Sequence, residues 1–290
     1  MIIRQSPLQQ LDSTTRTLTE LKGALERQTE VAISGSEILE PSDAAGRWQQ
    51  LDRLQASLDD QDIYLRNADS AAAVLGTADA ALSQASNALV QASELAVTLA
   101  SETYTDADRI EAASAVDDLF ASVVGLGNSQ LGDRYLFGGT ATDTPPFAND
   151  GTYLGNTDIP TTVVTDSLTV PTGYDGGEAF SSALEILTEL ADALRSGSSD
   201  AVSGTLSDLT AAHEALVSAR QQVGFDQIEV DDARTLASSL RLTLSEALSA
   251  QVDADPIEAL TELSQLQSSY EIALQVTAQR SSITLFDFVR

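Results

Sequence analysis

Leucines recur three and four residues apart at both ends of the chain. Leu8, Leu11, Leu18, Leu21 and Leu25 fall on one face of an N-terminal helix. Leu260, Leu263, Leu266, Tyr270 and Leu274 form a matching face near the C-terminus. Pro41 follows the first stripe and Pro256 opens the second, which sets both apart from the middle of the chain. Each stripe needs a partner helix, either the other stripe or copies of itself. Residues 1–40 and 256–290 are therefore expected to be the two helices of a terminal, assembly-forming domain.

Between them the pattern changes register but stays helical. Pro41, Ser42 and Asp43 break the first helix and offer caps for a second. From there a heptad line runs Leu51, Leu54, Leu58, Gln61, Leu65, Ala68, Ala72, Leu75, Asp79, Leu82, Ser86, Leu89, Ser93 and Ala96. At about 1.5 Å per residue such a helix is roughly 85 Å long. Thr105–Asp108 reads as a capping box before a helix carrying Ile110, Ala113, Val116, Phe120 and Val123. Residues 41–139 are thus expected to be the first half of a helical rod.

Residues 138–177 are dense in turn formers, with seven of the 17 glycines and four of the seven prolines, and carry β-branched runs at 161–165 and 168–170 and a turn at Asn149–Gly151. They predict a small β-rich insert, residues 140–177, at the tip of the rod. Helical stripes return at Phe180, Leu184, Leu187, Leu190 and Leu194, closed by Gly197, and then at Val202, Leu206, Leu209, Leu216 and Val223. A further pattern follows Gly224, through Ile228 and Val230 to Leu236, Leu240, Leu244 and Leu248. Residues 178–255 supply the second half of the rod. The fold class is mainly α: a long antiparallel bundle or coiled-coil rod, a β-rich insert at its tip, and paired terminal helices.

Charge narrows the partners. With 15 basic and 44 acidic residues the 290-residue chain carries a net charge of -29, which disfavours nucleic acid and anionic membrane surfaces. Between 140 and 219 there are 12 acids against Arg195 alone. The absence of cysteine excludes disulfides and thiolate chemistry. No apolar run reaches the length of a membrane span, and the first residues lack the apolar run of a secretory leader.

Candidate chemistry is sparse. His213 is the only histidine, at the edge of a stripe, and has no second histidine to form a metal pair. Asp59–Asp60, Asp117–Asp118 and Asp231–Asp232 are adjacent on helices and so point apart, as solvated faces do. Gly125–Leu126–Gly127 lacks the third glycine of a dinucleotide site, and Asn149–Asp150–Gly151 lacks the ligands of a calcium loop. No catalytic residue, metal or cofactor is expected. Trp48, the only tryptophan, reads equally as an anchor at the start of the rod or as a subunit-contact residue.

Three stretches resemble the bacterial flagellin superfamily, and within it the hook–filament junction proteins. Residues 33–43, ISGSEILEPSD, are similar to the family's link between terminal helix and rod, with Ser36 and Glu37 where basic residues are common. Residues 132–139, GDRYLFGG, followed by Pro146–Phe147 and Tyr153, resemble a block more typical of junction proteins than of true flagellins. The ending, from Tyr270–Leu274 to Ser282–Val289, is similar to the family's C-terminus.

The resemblance implies a non-enzymatic structural subunit, exported through the flagellar apparatus without leader cleavage and located in the extracellular flagellum. It implies copies of itself, a hook-side junction protein and flagellin as partners, and a cytoplasmic export chaperone. Within its motifs Pro41, Ser42, Asp43, Arg134, Tyr135 and Phe137 are the candidate junction residues. Two alternatives stand beside it: a flagellin forming the bulk filament, and a secreted enzyme with its site in the insert.

Overall fold

A computed structural model describes the backbone of residues 7–288 and the side chains of residues 12–279. The chain divides into two compact units, one built from its two ends (to Leu58 and from Leu242) and one from Asp59 to Arg241. The fold is mainly α.

In the terminal unit, α1 (Pro7–Ser34) and α7 (Pro256–Phe288) lie side by side. They run antiparallel: the Gln28 side-chain amide donates to the Ala259 carbonyl oxygen at 3.2 Å, while Thr14 and Ala273 border a single groove further along. Their ends are stitched by backbone. Glu37 N–H donates to Val252 O, and Ala254 N–H donates to Gly35 O.

The second unit is built on α2 (Trp48–Leu99), α3 (Asp106–Gly127), α4 (Gly176–Arg195), the short α5 (Ser199–Gly204) and α6 (Leu206–Val252). The heptad line Gln61, Ala68, Leu75, Leu82, Leu89 and Ala96 is buried along α2, as its spacing predicts. Its flanks differ from expectation. Ala71, Ala78, Ala85 and Ala92 are buried, whereas Ala72, Asp79, Ser86 and Ser93 are only half-buried. Alanine reads as neutral in a hydrophobic pattern, yet it lets packed helices approach closely, and α2 faces its neighbours through it.

Helix α6 departs more sharply. It runs unbroken through Gly224, a substitution that costs a helix only about 1 kcal/mol relative to alanine. Its buried line is Val223, Asp226, Val230, Ala233 and Ala237, while Ile228, Leu236 and Leu240 face solvent. Of the expected pattern Val230 is buried and Leu244 and Leu248 half-buried, but Ile228, Leu236 and Leu240 lie on the outer side of the helix. Four side-chain pairs hold α6 antiparallel to α2: Arg241–Asp62 at 2.5 Å, Arg234–Asp69 at 3.0 Å, Arg220–Asp79 at 2.6 Å and His213–Ser86 at 2.9 Å.

The insert is two hairpins joined by irregular chain: β1 (Gln130–Leu131) with β2 (Arg134–Tyr135), and β3 (Thr161–Thr165) with β4 (Leu168–Pro171), both antiparallel. Thr152–Leu154 forms no strand, only a bridge from Tyr153 to Phe147. The insert has no separate core. Leu136, Phe137, Phe147, Val164 and Val170 join the helical core, with the Phe137 and Phe180 rings edge to face at 4.8 Å. Helix α4 starts at Gly176, two residues before the expected boundary, because Asp175 caps the amides of Gly177 and Glu178. A Cβ at Gly176 would sit 2.5 Å from the Phe137 carbonyl oxygen, so only glycine fits this close approach.

Candidate assembly surface

The terminal stripes meet along one seam. On α7 the inward positions are Ala259, Leu263, Leu266, Tyr270 and Ala273, spaced by four and three residues, as a helix facing one partner requires. On α1 the corresponding residues are Leu18, Leu21, Leu25, Gln28 and Val31. Leu8 and Leu11 lie outside the residues whose side chains are described, as does the ending after residue 279.

Two of the expected α7 residues turn away from α1. Leu260 is 59% exposed and Leu274 44%, and Ile257 continues the same flank. On the opposite flank Ile272 is 61% exposed and Val276 is also open, beside a groove edged by Ser13, Thr14 and Thr17 of α1. α7 thus carries uncovered apolar side chains on both sides of its seam. Removing such a side chain fully from water is worth about 1.5–3 kcal/mol.

The junction residues around Pro41 have a local task. Pro41–Ala44 forms one 3₁₀ turn, and Trp48 opens α2, partly exposed. Asp43 reaches back rather than capping α2: its carboxylate accepts from the Leu39 and Glu40 amides at 3.1 and 3.0 Å and pairs with Arg27 of α1 at 2.8 Å. The Arg27 guanidinium, with those amides, holds the Asp43 carboxyl below the ordinary aspartate range. Ser42 donates to Glu40 at 3.2 Å.

The GDRYLFGG block separates into two parts. Phe137 is fully buried in the aromatic core and Tyr135 half-buried, whereas Arg134 projects into solvent. Tyr153 donates its hydroxyl to the Phe137 and Asn156 carbonyl oxygens, and burial pushes its phenol up to about 12. Tyr174 at the end of the insert donates to the buried Asp226 of α6 at 2.7 Å, and Gln222 satisfies the other carboxylate oxygen.

Sequence reasoning missed Arg109. Only 3% exposed, it donates to the carbonyl oxygens of Leu99, Ser101 and Gly197 and pairs with Asp106. It closes the C-terminal ends of α2 and α4 together, satisfying carbonyls that helices leave orphaned. It also missed the α2–α6 pairs, although the seven-residue spacing of Asp62 and Asp69, and of Arg234 and Arg241, was a usable signal. Among the described residues no group of His, Cys, Asp or Glu is arranged to hold a metal ion, and no helix is long and apolar enough to cross a membrane.

A family model, the bacterial flagellin N-terminal helical region, matches residues 7–142. This first part of the chain is similar to that flagellin region. No curated protein matches the chain in sequence. Among solved structures it is similar to a putative flagellar hook-associated protein from Vibrio parahaemolyticus, at a TM-score of 0.67 and 18% identity, covering 73% of this chain and 100% of that one. FlgL from Bacillus cereus gives 0.60 at 20% identity, covering 69% and 100%. Flagellar hook associated protein-3 from Legionella pneumophila gives 0.62 at 12%, covering 69% and 98%. At these identities what is shared is the fold.

Proposed function

We propose that this flagellin-like chain is a non-enzymatic structural adaptor at the hook–filament junction of the bacterial flagellum, assembling through its terminal helices. The observation that carries the reading is the pair of apolar flanks on α7. A seam that satisfied the chain alone would leave Leu260, Leu274, Ile272 and Val276 no reason to be apolar. Two different flanks on one helix suit head-to-tail contact, one flank of each copy meeting the other flank of the next. Such contacts close into rings or continue as helical arrays. The junction role, rather than bulk flagellin, is supported by the GDRYLFGG block and by the names of the structural neighbours.

The partners that follow are copies of the chain, a hook-side junction protein, flagellin, and a cytoplasmic chaperone that covers the C-terminal helix before export. The location is the extracellular flagellum. Coverage of the α7 flanks only on assembly suits a chain delivered unfolded. Electron microscopy of cells lacking the protein tests the role. Hooks without filaments, with flagellin lost to the medium, are expected. Purified protein that elongates by itself into long filaments would instead make it a flagellin.

A further inference from the structure

The tip of the β1–β2 hairpin projects away from the packed core of its own chain. Residues 130–134 are all exposed, and the turn depends on Gly132 at φ 61°. Leu131 is 38% exposed, and the Arg134 side chain makes no hydrogen bond or ion pair among the described residues. The fold accounts for Leu136 and Phe137, which are buried, but gives no packing reason for a leucine and an arginine at the projecting tip.

The surroundings make that arginine unusual. Residues 59–241 contain 29 acidic and 7 basic residues. Arg109, Arg195, Arg220, Arg234 and Arg241 are all engaged within the chain, which leaves Arg66 and Arg134. Arg66 lies one helical turn from both Asp62 and Asp69 on α2, so counter-charge is close at hand. Arg134 has no such neighbours beyond Asp133.

Its complement is present on α4. Glu178, Glu185 and Glu189 recur at seven and four residues, all exposed, and form one acidic line along the outer face of that helix. None of the three has a basic partner among the described residues. Arg134 does not pair with them in its own chain. In a row of identical copies, however, every copy presents one cationic knob and one anionic line.

We propose that the β1–β2 hairpin is a docking knob between copies, Arg134 and Leu131 seating on the Glu178–Glu185–Glu189 line of a neighbouring molecule. The inference rests on the reading that copies assemble, and adds to the α7 flanks a second contact that fixes their orientation. Charge pairing of this kind chooses register more than it adds affinity.

Sedimentation velocity on full-length variants tests it. Arg134→Glu should weaken self-association about tenfold with the fold unchanged by circular dichroism, while Arg134→Lys retains most of it. Arg66→Glu makes the same change in net charge and should shift association less than about twofold, which removes general repulsion as the cause. Glu185→Arg/Glu189→Arg should restore association to Arg134→Glu. Equal effects of Arg134→Glu and Arg66→Glu, or failure of the charge exchange to rescue, would overturn the knob and leave assembly through the α7 flanks standing. A wild-type chain that stays monomeric at every concentration and salt would overturn both.

Discussion

The guanidinium of Arg109 donates to the carbonyl oxygen of Gly197 at 3.2 Å, tying the turn after α2 to the turn after α4. The same group also donates to Leu99 and Ser101 carbonyl oxygens, at 2.9 Å each. Three carbonyls therefore depend on one buried cation. Arg109→Leu should cost about 2–4 kcal/mol, because it strands those acceptors in a dry site. Arg109→Lys should recover little, since an ammonium cannot span the fork. Thermal unfolding reads this as a fall in Tm of about 5–10 °C.

Asp43 sets an acid limit on the link between α1 and α2. Its hydrogen bond to Arg27 and two backbone amides keep its carboxyl below the range of an unfolded aspartate. The stability it contributes is complete above about pH 4 and fades as pH falls through the folded-state value. The protection of the Leu39 and Glu40 amides, measured against the intrinsic exchange rate at each pH, should fall on acidification through that window. In Asp43→Asn that protection should be low already at neutral pH and change little with acid.

The flanks and the seam of α7 should respond differently to substitution. Leu260→Glu and Leu274→Glu change exposed positions, so monomer stability should move by no more than about 0.5 kcal/mol. Self-association should nevertheless fall steeply. Leu263→Glu faces α1 and should loosen the helix pair itself, visible as early proteolysis before residue 40 and after residue 256. If Leu260→Glu associated as strongly as wild type, that flank would not be a subunit contact.

Salt separates repulsion from attraction. The excess of acids is concentrated between 59 and 241, where 29 face 7 bases, against 15 and 8 in the rest of the chain. Copies brought together must bear that repulsion, which outweighs a single Arg134 contact. Association followed by light scattering should therefore strengthen as salt rises from low to moderate. A steady weakening would count against a surface limited by repulsion.

Much of the fold could be read from spacing alone. The α2 line from Gln61 to Ala96, the capping box Thr105–Asp108, and the glycine after α4 all rest on local rules, and the structure keeps them. The inner face of α6 was misread because its alanines and Asp226 are buried while brighter leucines sit outside. Which face turns inward depends on the neighbour, and α2 already presents alanine there. The β1–β2 strands are two residues each, too short for any alternation to appear. Arg109 was invisible for another reason. Its acceptors are backbone carbonyls, as far off in sequence as Gly197, and carbonyls leave no mark on residue identity. At the terminal stripes, spacing named the helices but not which leucines would face α1.

The alanine lining of α2 governs how this protein can diverge. Because Ala71, Ala78, Ala85 and Ala92 set the distance between helix axes, one added methylene at any of them would wedge apart stiff elements along many turns. Substitution there is confined to the smallest residues, whereas the solvent side can drift almost without restraint. A backbone can then outlast most of its own lettering, and kinship is easier to see in its geometry than in its alphabet.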